Sequence, residues 1–256
     1  MTNKVSMFGV TFDNLDIVEA VGRIGRWLSH DDRLCHFVVT ANVDHVITLD
    51  ASPEFRSAYR GAAMVLADGR PVVWASHLLG KPLKGTVPGS DLVPAIFDHA
   101  CATRQSTLPV YLLGAAPGVA VRAKDVIEKS WGQVRIVGLY SPEPGFENDE
   151  KECQYICSEI NKSGAALLVV GLGAPKQELW VRKHSAILHI KVALCVGATI
   201  DFIAGAKARA PMWMRRCGLE WFHRMASEPR RLARRYARDA IIFPRLVIRE
   251  LTNKKN

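Results

Sequence analysis

The chain has 256 residues, 48% of them hydrophobic, which suffices for one large domain or two small ones with a real core. Its formal net charge of +9 sits at one end: residues 205–256 carry 14 basic against 4 acidic side chains, and the rest 20 against 21, so the basic end implies a polyanionic partner, phosphate or anionic lipid. Six cysteines without CxxC or zinc-like spacing, no signal-peptide stretch, and a longest charge-free run (Gln105–Val121) broken by two prolines and two glycines exclude a zinc module, a secretion signal and a spanning helix; a reduced, cytoplasmic protein is expected.

In chain order, "VSMFGVTFDNLDIVEAVGRIGRWL" reads as a small strand pair followed by a helix. Strands are then predicted at "CHFVVTA" (35–41), "MVLAD" (64–68), "PVYLLGA" (109–115), "RIVGLY" (135–140), "ALLVVGLG" (166–173) and "KVALCVGA" (191–198). These runs are almost continuously apolar rather than alternating, as parallel strands buried on both faces are. Helical patterns at Ser90–Arg104, Gly118–Trp131 and Asp149–Asn161 separate them. The rhythm predicts βαβ units and a Rossmann-like, mostly parallel sheet with helices on both faces. After Gly205 no strand is expected, so the chain divides into a 1–204 core and a 205–256 basic, amphipathic helical tail. One tail helix is predicted over Met212–Ala226, with Trp213, Cys217, Trp221 and Met225 along one face. A second opens at Ser227-Glu228-Pro229 and runs to about Pro244.

Ligands of open α/β sheets bind beyond the carboxyl ends of the strands, so the residues that follow each strand carry the functional reading. The first strand leads to Thr40, Asn42, Asp44 and His45, and the second to Asp68. Asp68 is either the N-cap of a helix beginning near Pro71 or a general base whose pKa a cleft would raise. His45 belongs to a helical face and reads as packing or solvated. The third strand runs through Gly114 into "GAAPGVA", either a ligand turn or a structural one. The sharpest turn is "GLGAPKQELW". Gly171 and Gly173 permit a tight turn, Pro175 suits a first helical position, and Lys176 and Gln177 add a charge and an amide to an anion-favouring helix N-terminus. An ordinary turn with a solvated lysine is the bland alternative. The turn is neither a dinucleotide fingerprint nor a Walker loop. Asp201, after the sixth strand, either contacts ligand or caps a short helix. No Asp-x-Asp or His/carboxylate cluster suggests a metal, and no cofactor is expected.

The segments "TANVDH", "ADGRPVVW", "GSDL", "LLGAAPGVA", "GLGAPKQELW", "VGATIDFIAG" and "RAPMWMRRCGLEWFHRMASEPRRLARRY" occur in this order. In that order they resemble the WecG/TagA/CpsF glycosyltransferases (glycosyltransferase family 26), over about Phe8 to Pro244. The resemblance implies an inverting enzyme that moves a sugar from a UDP-sugar donor to a polyprenyl-diphosphate-linked saccharide at the inner face of the plasma membrane. It implies Asp68 as catalytic base, with Thr40 and Asn42 in the same pocket. It further implies Gln177 beside Lys176 on sugar or diphosphate, Asp201 near the donor, and Arg224, Arg231 and Arg234 as the family's tail arginines. One departure stands out: where many members carry Glu-Arg-Val-x-Gly, this chain reads Gly85-Thr86-Val87-Pro88-Gly89, so the phosphate-holding role that the resemblance implies for that arginine is not carried over to Thr86 unless Lys84 or a tail arginine substitutes. Other partners expected are an anionic membrane surface, met by the tail, and further copies in a homo-oligomer. A nucleotide-dependent enzyme of another kind is the main alternative. Nucleic acid is not expected, because no base-reading module accompanies the arginines and the Trp/Met stripe suits a lipid interface or packing on the body.

Overall fold

The computed structural model describes residues 4–30, 34–103 and 106–253; the side chains of Arg216 and Arg231 lie outside the described set. β1 (Lys4–Met7) and β2 (Val10–Asp13) pair antiparallel, and α1 (Ile17–Ser29) follows behind a capping box made by Asp16 and Glu19. The main sheet has six strands: β3 (His36–Ala41), β4 (Met64–Ala67), β5 (Leu108–Gly114), β6 (Val134–Tyr140), β7 (Leu167–Gly171) and β8 (Val192–Cys195). All its pairings are parallel and the order is β4-β3-β8-β7-β5-β6.

The apolar runs are continuous because the sheet is covered on both sides. Phe37, Val39 and Ala41 of β3 enter one core cluster while Val38 enters the other, and β5, β7 and β8 alternate in the same way. The first face is covered by α2 (Val43–Ala51), α3 (Pro53–Arg60), α4 (Arg70–Leu78), α7 (Glu150–Lys162) and α8 (Lys176–His184). The second is covered by α1, α5 (Gly89–Thr103), α6 (Val119–Ser130) and α9 (Thr199–Ile203). The expected strands and helices are present with ends shifted by one to three residues, most at β8, which stops at Cys195 instead of 198, and Arg104 falls outside the described residues.

The C-terminal segment departs from expectation in two places. The single helix predicted over Met212–Ala226 is two, α10 (Met212–Arg216) and α11 (Glu220–Ser227). Between them Gly218 adopts φ +73°, and a Cβ there would stand 2.9 Å from Arg70 Cβ and 3.0 Å from Trp74 Cη2. Close approach to α4 therefore forces both the break and the glycine. The last helix, α12 (Pro229–Asn253), does not stop at Pro244 but continues past it. Leu246 and Val247, just beyond, are buried in the first core cluster. At roughly 1.5–3 kcal/mol for each buried aliphatic side chain, the pair offsets the ~3 kcal/mol that an internal proline costs. Ion pairs also fasten α12 to α2, from Arg238 to Asp44 and from Arg249 to Asp50 at 2.5 Å. Among the described residues no helix is long and apolar enough to cross a membrane.

Candidate active site

β3 and β4 end side by side at one edge of the sheet. The Asp68 N–H donates to the Ala41 carbonyl at 2.8 Å, and the Val87 N–H donates to the Ala67 carbonyl at 2.7 Å. These two bonds bring Asn42, Asp68 and Thr86 to one place, and α10, α11 and α12 roof them over. The space enclosed is a cleft of about 440 Å³, the size of a small-molecule site. Asn42 lines it while its side-chain oxygen accepts from the His45 N–H at 3.1 Å, capping α2.

Asp68 lies on the floor. It does not cap α4: the preceding residue is Gly69, φ +92°, and no side-chain cap bond is made there. Among the described residues Asp68 has no hydrogen bond or ion pair to its carboxylate, unlike the other cleft carboxylates. Asp91 is held by Arg209 at 2.8 Å and Arg215 at 2.6 Å, Glu220 by Arg224 at 2.7 Å, Asp44 by Arg238 and by Arg235 at 3.7 Å, and Asp239 by Arg238 at 3.1 Å. Burial raises the Asp68 pKa to about 6, against the opposing pull of Arg224; Glu220 and Asp91 add to the rise and His45 opposes it. An uncompensated carboxyl poised near neutrality is what a general base requires.

The roof supplies the cations. Arg224 lines the cleft, stacks over the Phe202 ring at 5.1 Å and keeps a buried Nε–H without a partner. Burial alone would lower its pKa, but Glu220 and Asp68 raise it, so it stays fully charged. Arg235 also lines the cleft, lies over Tyr236 at 5.2 Å, and likewise has a buried, unpartnered Nε–H. Arg215 stands at the wall beside Thr86 and Asp91. Lys84 does not line the cleft; its ammonium is paired with Glu19 of α1. Of the replacements considered for the arginine absent at Thr86, Lys84 stands outside the cleft and the tail arginine Arg215 lines it.

Of the residues the sequence singled out, the cleft gathers Asp68, Asn42, Asp44 and Arg224. Arg234 is exposed and does not line it, and the Arg231 side chain lies outside the described residues. Thr40 is buried in β3. The glycine-rich turns lie along the β5, β7 and β8 ends, and none of their residues lines the cleft. There Gly114, φ +109°, is required by close packing, because a Cβ would meet the Gly171 carbonyl carbon and oxygen at 2.6 Å. A Cβ on Gly171 would in turn meet the Gly197 carbonyl oxygen at 2.9 Å. Gly173, φ +82°, has open space where a Cβ would stand, so its backbone conformation selects glycine. Gln177 is buried, accepting from the Gly197 N–H at 3.1 Å and donating to Glu178 at 2.8 Å. Lys176 pairs with Glu147 at 3.0 Å over the Phe146 ring. Asp201 lies within α9, and its carbonyl accepts from Ala206 and Lys207. His45 is buried and bonded through Nδ1 to the Tyr59 hydroxyl at 2.6 Å.

The residues that sequence reading missed are Arg215, Arg235, Tyr236, Asp91 and Glu220. A signal for Arg235 was present: Leu232, Arg235, Tyr236, Asp239 and Phe243 recur at helical spacing, which puts Arg235 on the inward stripe and Arg234 outside it. Among the described residues no three His, Cys, Asp or Glu side chains are grouped to hold a metal ion.

A parallel sheet whose strand ends open into an arginine-roofed cleft around one unpaired carboxylate is the layout of an α/β enzyme that handles an anionic substrate. The sequence model of the glycosyl transferase WecG/TagA/CpsF family matches residues 5–256, and the chain belongs to that family. It is a glycosyltransferase. Similar proteins include the N-acetylglucosaminyldiphosphoundecaprenol N-acetyl-beta-D-mannosaminyltransferases of Staphylococcus aureus strains MRSA252 and MW2, each 30% identical over 233 residues, covering 91% of this chain and 88% of the relative.

Proposed function

We propose that the chain is an inverting glycosyltransferase that moves a sugar from a UDP-sugar to a polyprenyl-diphosphate-linked saccharide in cell-surface polysaccharide synthesis. The observation that carries the reading is the free Asp68 carboxylate facing the Arg224 guanidinium in a closed-over cleft. In the proposed step an acceptor hydroxyl gives its proton to Asp68 as its oxygen bonds to the anomeric carbon. The bond from that carbon to the UDP oxygen breaks on the opposite face, and its electron pair leaves with UDP. Arg224, Arg235 and Arg215 offset diphosphate charge, acting with fixed positions in a partly dry site. Asn42 orients the sugar beside Asp68. Gln177, Gly114 and Gly171 hold the neighbouring strand ends in register rather than touching the reacting atoms.

The relatives' names make N-acetylmannosamine the first donor sugar to test, ahead of its uronic acid, glucose and glucuronic acid. An acceptor of this type resides in a bilayer, which supports a peripheral location on the inner face of the plasma membrane with the basic C-terminal segment toward lipid. The test incubates the protein with a panel of UDP-sugars and a short-chain polyprenyl-diphosphate acceptor and weighs the lipid product. One sugar residue added is expected, N-acetylhexosamine if the donor is N-acetylmannosamine, with inverted anomeric configuration read by NMR of the product. Transfer from no UDP-sugar, with stabilisation by NAD instead of UDP, would overturn the reading.

A further inference from the structure

α4 buries Val72, Val73 and Ala75 in the first core and leaves Trp74 and Leu78 56% and 65% exposed. Four-residue spacing aligns Arg70, Trp74 and Leu78 in one outward stripe. The α10–α11 turn rests on that stripe, since Gly218 lies against Arg70 and Trp74. Trp74 thus meets the turn between α10 and α11, the two helices that carry the exposed apolar residues Met212, Trp213 (61% exposed), Trp221 and Phe222. Met212 and Trp221 also line the cleft, as does Arg70 of the α4 stripe, so both parts of this surface reach the cleft.

A lone monomer seldom leaves so many large apolar side chains together in water. The flanking charge identifies the occupant. Residues 205–256 hold 14 basic side chains against 4 acidic ones, and Arg70 extends the positive stripe onto the body. Tryptophan, methionine and leucine edged by arginines suit the boundary between anionic headgroups and acyl chains.

We infer that Trp74 and Leu78 of the body join Met212 and Trp213 in a rim that inserts into an anionic bilayer around the cleft mouth, so that membrane contact is shared by α4 and is not the tail's alone. The inference rests on the lipid-linked acceptor proposed above. Basic side chains supply the salt-sensitive part of the attraction, and the rim supplies the salt-resistant part.

The test compares the full chain with Trp74→Ser/Leu78→Ser in sedimentation with phosphatidylcholine vesicles containing phosphatidylglycerol, at low and at high salt. The double variant should bind about tenfold more weakly or worse at both salts, while raising the salt weakens wild type and variant by the same factor. Trp213→Ser should act in the same direction, and an unchanged thermal midpoint shows that the fold is intact. Equal binding by wild type and variant at both salts overturns the inference. So does a variant that binds vesicles normally but loses self-association, because a second copy would then cover the face. Transfer to a short-chain, water-soluble acceptor separates the two ideas. Full transfer with unchanged vesicle binding defeats the rim alone; salt-resistant binding that depends on the rim, without transfer to any acceptor, defeats the assigned reaction alone.

Discussion

The carboxyl edge of the sheet carries two kinds of turn. Along β5, β7 and β8 the turns are rich in glycine and are stitched to one another: Ala115 to the Gly171 carbonyl at 3.3 Å, and Gly197 to Gln177 at 3.1 Å. Along β3 and β4 the turns end in Asn42 and Asp68, and arginines brought from the far end of the chain close over them. In the first region the turn amides are paired with one another, with Glu178 Oε2 left unpartnered beside them, whereas in the second Asp68 has no ion pair among the described residues and the Arg224 and Arg235 Nε–H groups have no partner. A glycine-rich turn thus marks close backbone packing here, while the groups proposed to react lie under the arginine roof.

Substitutions at each region break or sharpen that contrast. Asp68→Asn should have the largest effect: a loss of roughly 10²–10⁴-fold in kcat, the usual worth of a positioned base, with the thermal midpoint kept or raised. Near-normal turnover would remove Asp68 from the role. Arg224→Ala should cost about 10²-fold, as loss of one preorganised charge-stabilising donor does. It should also move the acidic limb of the kcat/KM profile upward, because Arg224 holds the Asp68 pKa down. A limb that stays in place, or moves downward, would show that the two do not sense each other.

On the glycine side the expected damage is to the fold. Gly114→Ala forces a Cβ to within 2.6 Å of the Gly171 backbone at φ +109°, and should cost about 1–3 kcal/mol of stability, read by denaturant unfolding. Activity of the folded fraction should be nearly intact. Lys176→Ala should matter least, because its ammonium is already paired with Glu147 at a partly exposed site. Such a pair is worth ~1 kcal/mol or less, and KM for the donor should move by a small factor. A large rise in KM would return the glycine-rich turn to the centre of binding.

Much of this architecture was readable from the chain. Strands such as "LLVVG" and "VALC" are apolar at every position because two helical layers sandwich them, and that pattern needs no tertiary knowledge. Asp68 was readable as a candidate because a carboxylate at a strand end has few structural uses. Whether it capped α4 was not, since that turned on the positive φ of Gly69. The break at Gly218 was invisible because its cause, the α4 surface at Arg70 and Trp74, lies more than a hundred residues earlier in sequence. Lys176 and Gln177 looked like ligand groups in their own segment; their partners, Glu147 and Gly197, come from elsewhere in the chain. Arg235 was the reverse case, a residue indistinguishable by type from Arg234 and separated from it by helical phase alone.

The most direct test of Asp68 as base is the pH dependence of kcat/KM for the wild-type protein with a UDP-sugar and a short-chain acceptor. The base must be ionised, so the rate should fall tenfold per pH unit below the Asp68 pKa of about 6 and level off above it. A profile flat from well below to well above that value, or an acidic limb that persists unchanged in Asp68→Asn, would contradict the account.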